Sequence, residues 1–240
     1  MIKLFLTKKW IGLTIAVIIL IPTFKSLSDW QYRRLDARLS YNATVINSEK
    51  SPVVPFTQLA PQGELITKTD IWRNVSAVGS FLPNEQYLVR KKSLDSEAGL
   101  WVVTPFALTD GTKITVVRGW TAAGASAQES PQLSPVTSEQ VELVGRLRQI
   151  NSQNQAEPDD IPSGQRVGID PKYGTAYLEL ISANPPLSNS EVITLPAPTL
   201  TEGTHRSYAI QWRIFAVMLV GGYLILFRQD LIERRKLPVV

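Results

Sequence analysis

The sequence predicts a mainly antiparallel β domain outside the membrane, flanked by two transmembrane α-helices. Three observations lead there: an uncharged apolar run near each end, period-two alternation between them, and proline-rich breaks that leave no room for long helices in the middle. The element order follows from the residues, beginning at the N-terminus.

Trp10 to Phe24, "WIGLTIAVIILIPTF", carries no charge, follows Lys3, Lys8 and Lys9, and precedes Lys25. It is short against the roughly 20 residues a bilayer core requires, but Trp10 and Trp30 suit the interfaces and lysine stems snorkel. This places a first transmembrane helix at residues 10–28, after a cytoplasmic stretch at residues 1–9. A cleaved signal peptide has a similar basic start and short apolar core, but no clear A-x-A cleavage site follows here. Just beyond, "DWQYRRLDARLS" sets Trp30, Arg34, Leu35 and Leu39 at helical spacing and extends the helix outward along the membrane surface.

The second run is uncharged from Ile214 to Phe227 and reaches back to Tyr208 with Arg213 as its one interruption. Arginine near a helix end snorkels to the interface. A second transmembrane helix at residues 205–227 and a cytoplasmic tail at residues 228–240 follow. Arg228, Arg234, Arg235 and Lys236 match the basic N-terminus, so the positive-inside rule puts both termini in the cytoplasm and residues 29–204 on the outer face of the cell membrane. Arg33, Arg34 and Arg38 pull the other way.

Between the spans, "NVSAVGSF" places Val75, Ala77, Gly79 and Phe81 on one parity. "VELVGRLR" sets Val141, Leu143 and Leu147 opposite Glu142, Arg146 and Arg148. "GLWVVTPFALTDGTKITVVRGW" reads as a hairpin around Asp110-Gly111, a pair suited to a tight primed turn. "TAYLELIS" is a further strand. Whether the strands close a barrel or leave an open sheet is not set by the pattern.

Composition narrows the chemistry. The formal charge is +4 and is not gathered into a stripe, which argues against nucleic acid as a partner. The chain has no cysteine and one histidine, so thiolate catalysis, thiolate metal sites and H-E-x-x-H are out of reach, and neither G-x-S-x-G nor a phosphate-binding loop is present. Asp159 and Asp160 sit in a polar, proline-flanked loop that reads as a solvated turn. No enzyme is indicated.

Two places invite a role. "VVRGW" carries Arg118 and Trp120 around Gly119: either an arginine packed over an aromatic with a glycine admitting another backbone, or a surface that anchors a partner. His205, with Tyr208, Ala209 and Trp212 one and two turns on, puts an imidazole, a phenol and an indole on one helical face at the membrane interface. Either these rings belong to the interfacial aromatic belt, or His205 is an axial ligand for haem iron.

The set "WQYRRLDARL", "GSFLPNEQYLVR", "GLWVVTPFALTDG", "VVRGW", "VELVGRLR" and "HRSYAIQW", in that order between two terminal spans, resembles the surfeit locus protein 1 family of cytochrome c oxidase assembly factors. The resemblance implies a non-enzymatic membrane chaperone for haem-copper oxidase, assisting delivery or insertion of haem a into the catalytic subunit. The implied partners are that subunit, haem a synthase and the lipid membrane. It implies His205 as haem ligand, with Tyr208 and Trp212 packing the macrocycle and Arg206 or Arg213 available to a propionate. Gln211, Arg118 and Trp120, which match family motifs, are expected to meet the partner. The alternative is a scaffold that stabilises an oxidase intermediate and never touches haem.

Overall fold

A computed structural model describes residues 7–61, 64–124, 129–150, 161–188 and 190–236; Asp159 and Asp160 lie outside the described residues. The chain forms two units, Met1–Ala43 with Thr199–Val240, and Thr44–Pro198.

The first unit is a helix pair. Helix α1 runs unbroken over Lys8–Lys50 and α3 over His205–Lys236, about 65 Å and about 48 Å long at 1.5 Å per residue. Both are long and apolar enough to cross a membrane. Pro22 lies inside α1 and cannot donate to the carbonyl one turn back; beside it, the Thr23 hydroxyl donates to the Ile19 carbonyl at 2.8 Å.

The two helices meet along a seam. Positions 10, 14, 17, 21, 24, 28 and 31 of α1 step by four and three and are all buried or half-buried, as are positions 205, 209, 212, 216, 219 and 223 of α3. That repeat is the knobs-into-holes pattern of paired helices. Trp10 meets Tyr223 and Phe227 edge-on at 5.3 and 5.2 Å, Phe24 stacks on Trp212 at 5.7 Å, and the Ser28 hydroxyl donates to the Ala209 carbonyl at 2.9 Å, so the helices are antiparallel. Ile15, Ile18, Val217 and Met218 stay exposed, an apolar exterior suited to lipid. The face read from Trp30, Arg34, Leu35 and Leu39 is displaced by one position. Gln31 and Leu35 are buried, while Trp30 and Leu39 are exposed.

The second unit is the β domain. After α1 come β1 (Val54–Pro55), a single helical turn α2 (Phe56–Leu59), β2 (Asn74–Phe81), β3 (Tyr87–Leu94), β4 (Glu97–Leu108), β5 (Lys113–Ala122), β6 (Gln140–Gln149), β7 (Gln165–Arg166) and β8 (Ala176–Asn184). The ring β2–β6–β8–β5–β4–β2 closes a five-stranded barrel, with every interface antiparallel except β5–β8. Closure depends on β2, which pairs with β6 along one edge while Gly79, Ser80 and Phe81 pair with β4 on the other. In chain order the barrel strands lie first, second, third, fifth, fourth around the ring, the order of an OB-type barrel. That architecture hosts many unrelated functions.

The barrel interior holds Phe81, Phe106, Leu143, Leu147 and Leu178, each worth about 1.5–3 kcal/mol on burial. The parity read in β2 is the one observed. Arg146, expected to face outward from β6, is instead buried. Its register partner on β8 is Glu179, and Nη1 donates to Oε1 at 2.8 Å with both side chains under a tenth exposed. Burial of such a pair requires both members together.

The β4–β5 turn also differs from expectation. Only Gly111 has positive φ (85°), the Gly111 amide donates to the Leu108 carbonyl, and the Leu108 amide donates to the Thr112 carbonyl. This is the three-residue loop with a glycine bulge. The primed turn occurs one hairpin earlier, where Asp95 (φ 49°) and Ser96 (φ 70°) join β3 to β4 between the paired Leu94 and Glu97.

Candidate functional site

His205 opens α3 and sits half-buried on the helix seam. Gly203, at φ 68°, turns the chain into the helix; a Cβ added there would stand 3.6 Å from the imidazole Cδ2 and 3.9 Å from Nε2. Gly203 thus sets no side chain against that edge of the ring, whereas the opposite edge is held: Nδ1 lies 2.9 Å from Oε1 of Gln31, itself 9% exposed on α1. Gln31 stands in the quoted "WQYRR" segment, and its signal was the four-three spacing that continues from Trp10.

Of the neighbours expected around His205, Ala209 is fully buried against Ser28, and Trp212 is half-buried with its ring on Phe24. Tyr208 is 48% exposed and flanks the seam. The positive groups separate. Arg213 donates from Nε to the Ser28 hydroxyl at 3.2 Å and lies 4.6 Å over Tyr32, whereas Arg206 is exposed, as is Gln211.

The strand motif has a different fate. Val102 pairs with Gly119 and Val103 with Val117, so Arg118 is the extra residue of a β-bulge, which breaks the strand's alternation between Arg118 and Trp120. Arg118 is 1% exposed and Trp120 3%. The guanidinium lies 5.7 Å over Phe81, and Nη1 donates at 2.8 Å to Gln86 Oε1, which also accepts from the Thr104 hydroxyl at 3.0 Å; Nε and Nη2 have no hydrogen-bond partner among the described residues. Burial pushes the Arg118 guanidinium down to about 10. Trp120 donates its indole N–H to the Lys92 carbonyl at 2.9 Å, and its backbone exchanges two hydrogen bonds with Ile193. A Cβ on Gly119 would fall 2.2 Å from the Ile193 carbonyl oxygen. Of the two readings of this motif, the packing one matches the structure: Arg118 lies over Phe81, Gly119 admits the Ile193 backbone, and Arg118 and Trp120 are interior, where they fasten the bulge and the segment crossing it.

Among the described residues no three His, Asp or Glu side chains gather into a metal cluster. A lone imidazole offers one reversible bond. The fold and the site thus define a barrel domain carried between two membrane-competent helices, with a single imidazole at the root of the second.

The chain belongs to the SURF1 family, whose model matches residues 18–217. It is similar to an uncharacterized SURF1-like protein of Mycobacterium bovis, 26% identical over 234 residues that cover 89% of this chain and 81% of that one, and to its counterparts in Mycobacterium tuberculosis at the same identity and coverage. A SURF1-like protein of Dictyostelium discoideum is 30% identical over 90 residues, covering 38% of this chain and 32% of that protein.

Proposed function

We propose that this protein is a non-enzymatic membrane assembly factor for haem-copper cytochrome c oxidase, and that it holds haem a transiently at His205 on the way to the catalytic subunit. The observation that carries this reading is the setting of the sole histidine in a SURF1-family chain: held on one edge by Gln31, with the other edge beside Gly203, which sets no side chain against it. An imidazole nitrogen would be the protein's ligand to the iron of a bound haem. His205 would supply that nitrogen, Tyr208 presents an exposed ring one turn on, and Arg206 is exposed at the surface, where it would pair with a carboxylate. Trp212, stacked on Phe24, steadies the seam beneath. A single protein ligand favours release, which a chaperone needs. In this reading haem a synthase is the donor and the oxidase catalytic subunit the recipient, with Gln211 among the exposed contacts.

The test is the absorption spectrum of the detergent-purified protein, co-produced with the haem a pathway, beside His205→Ala. The expected result is a haem a spectrum in the wild type that is lost in the variant while the circular dichroism melt is kept. A spectrum that survives the substitution would place the haem on another group. No haem in either protein would leave the scaffold reading, in which the Gln31–His205 contact serves helix pairing alone.

A further inference from the structure

We propose that Gln31 is a positioning residue: it sets the tautomer of His205 so that Nε2, and not Nδ1, carries the available lone pair. The argument begins with the atoms. A neutral imidazole has one N–H and one lone-pair nitrogen, and which is which follows from the partner of the other nitrogen. The atom 2.9 Å from Nδ1 is the amide oxygen of Gln31, which accepts a hydrogen bond and has none to give. Nδ1 therefore bears the proton and donates, leaving Nε2 as the basic nitrogen. In water the neutral ring prefers the proton on Nε2, so the contact acts against the intrinsic preference.

Packing makes this a fixed arrangement. Gln31 lies at the seam position of α1 that follows Phe24 and Ser28 by seven and three residues, is 9% exposed, and faces His205 at the matching position of α3. The edge bearing Nε2 is the one beside Gly203, which sets no side chain against it. A neutral amide, unlike a carboxylate, orients the ring without adding charge, which keeps the nitrogen a moderate donor that can be given up. The choice of Nε2 as the ligand atom rests on the reading of the preceding subsection; the tautomer does not.

The chain's single histidine makes the test clean, because one imidazole gives one pair of nitrogen signals. The full-length protein, labelled with ¹⁵N-histidine and held in detergent above the imidazole titration range, is examined by long-range proton–nitrogen correlation. The expected wild-type pattern is a protonated Nδ1 and a lone-pair Nε2. Gln31→Leu should return the ring to an Nε2–H majority, and Gln31→Glu, which keeps an acceptor oxygen, should retain Nδ1–H. In haem titrations Gln31→Leu should bind about tenfold more weakly, as loss of a partner behind a metal ligand does, with Gln31→Glu restoring affinity. An Nε2–H wild type overturns the proposal, whether or not haem binds, as does a Gln31→Leu protein that melts like the wild type yet keeps Nδ1–H. The expected tautomers in a protein that binds no haem would sustain Gln31's role and defeat the haem reading alone.

Discussion

Glu85 shows how much a single carboxylate organises in this fold. Lys113 and Lys172 donate to it at 3.2 and 3.0 Å, and the Tyr173 hydroxyl donates to the same oxygen as Lys172. These bonds, Tyr173's foremost, then those of Lys172 and Lys113, hold its carboxyl down at about 2, against 4.5 for the ordinary side chain, with burial opposing them. The sign follows: the folded state binds the proton more weakly, so this stabilisation is complete above pH 4.5 and is lost as pH falls through about 2. Thermal unfolding followed by circular dichroism across that window should show a shallower acid dependence for Glu85→Gln than for the wild type, together with a lower melting temperature at neutral pH. Residues differ in how far their chemistry could be read beforehand. His205 stood out because it is the chain's sole imidazole, whereas Gln31 is one amide among several and acquires meaning only when α3 sets a histidine against it. Arg118 left two readings open, packed over an aromatic or anchoring a partner; a bulge, which no pattern announced, sets it inside over Phe81.

At the scale of elements, alternation served well where one face of a strand is exposed and poorly where both are covered. Strand β2 shows its period, but β5 is buried continuously from Ile114 to Thr121 because apolar side chains lie against both of its faces. Gly119 is the hinge of that strand, and its lack of a side chain admits the Ile193 backbone. Gly119→Val should therefore lower stability by about 2 kcal/mol, the usual scale of overpacking in a fitted interior, measured by urea unfolding in detergent; an unchanged midpoint would mean that the crossing segment contributes nothing. The turns were exchanged for a related reason. Asp110-Gly111 has the composition of a primed turn, yet strand register demanded a bulged loop there and forced Asp95 and Ser96 into positive φ instead.

For the whole molecule, the barrel unit and the helix pair are two compact units of one chain, and the proposed use of the barrel unit depends on which side of the membrane it occupies. The absence of cysteine permits a direct test. In intact cells an impermeant maleimide should label Asp110→Cys, in the β4–β5 turn, and should label Glu233→Cys, near the end of α3, only after permeabilisation; the reverse pattern would invert the proposed orientation. The sequence alone determined the two apolar helices, the β character between them and the lone imidazole, since hydropathy, period and composition are local quantities carried by consecutive residues. Tertiary structure decided the closure of the barrel, the burial of Arg118 and Arg146, and the Gln31–His205 contact. Each of these joins residues distant in the chain, and their pairing depends on register and packing, to which local pattern is blind.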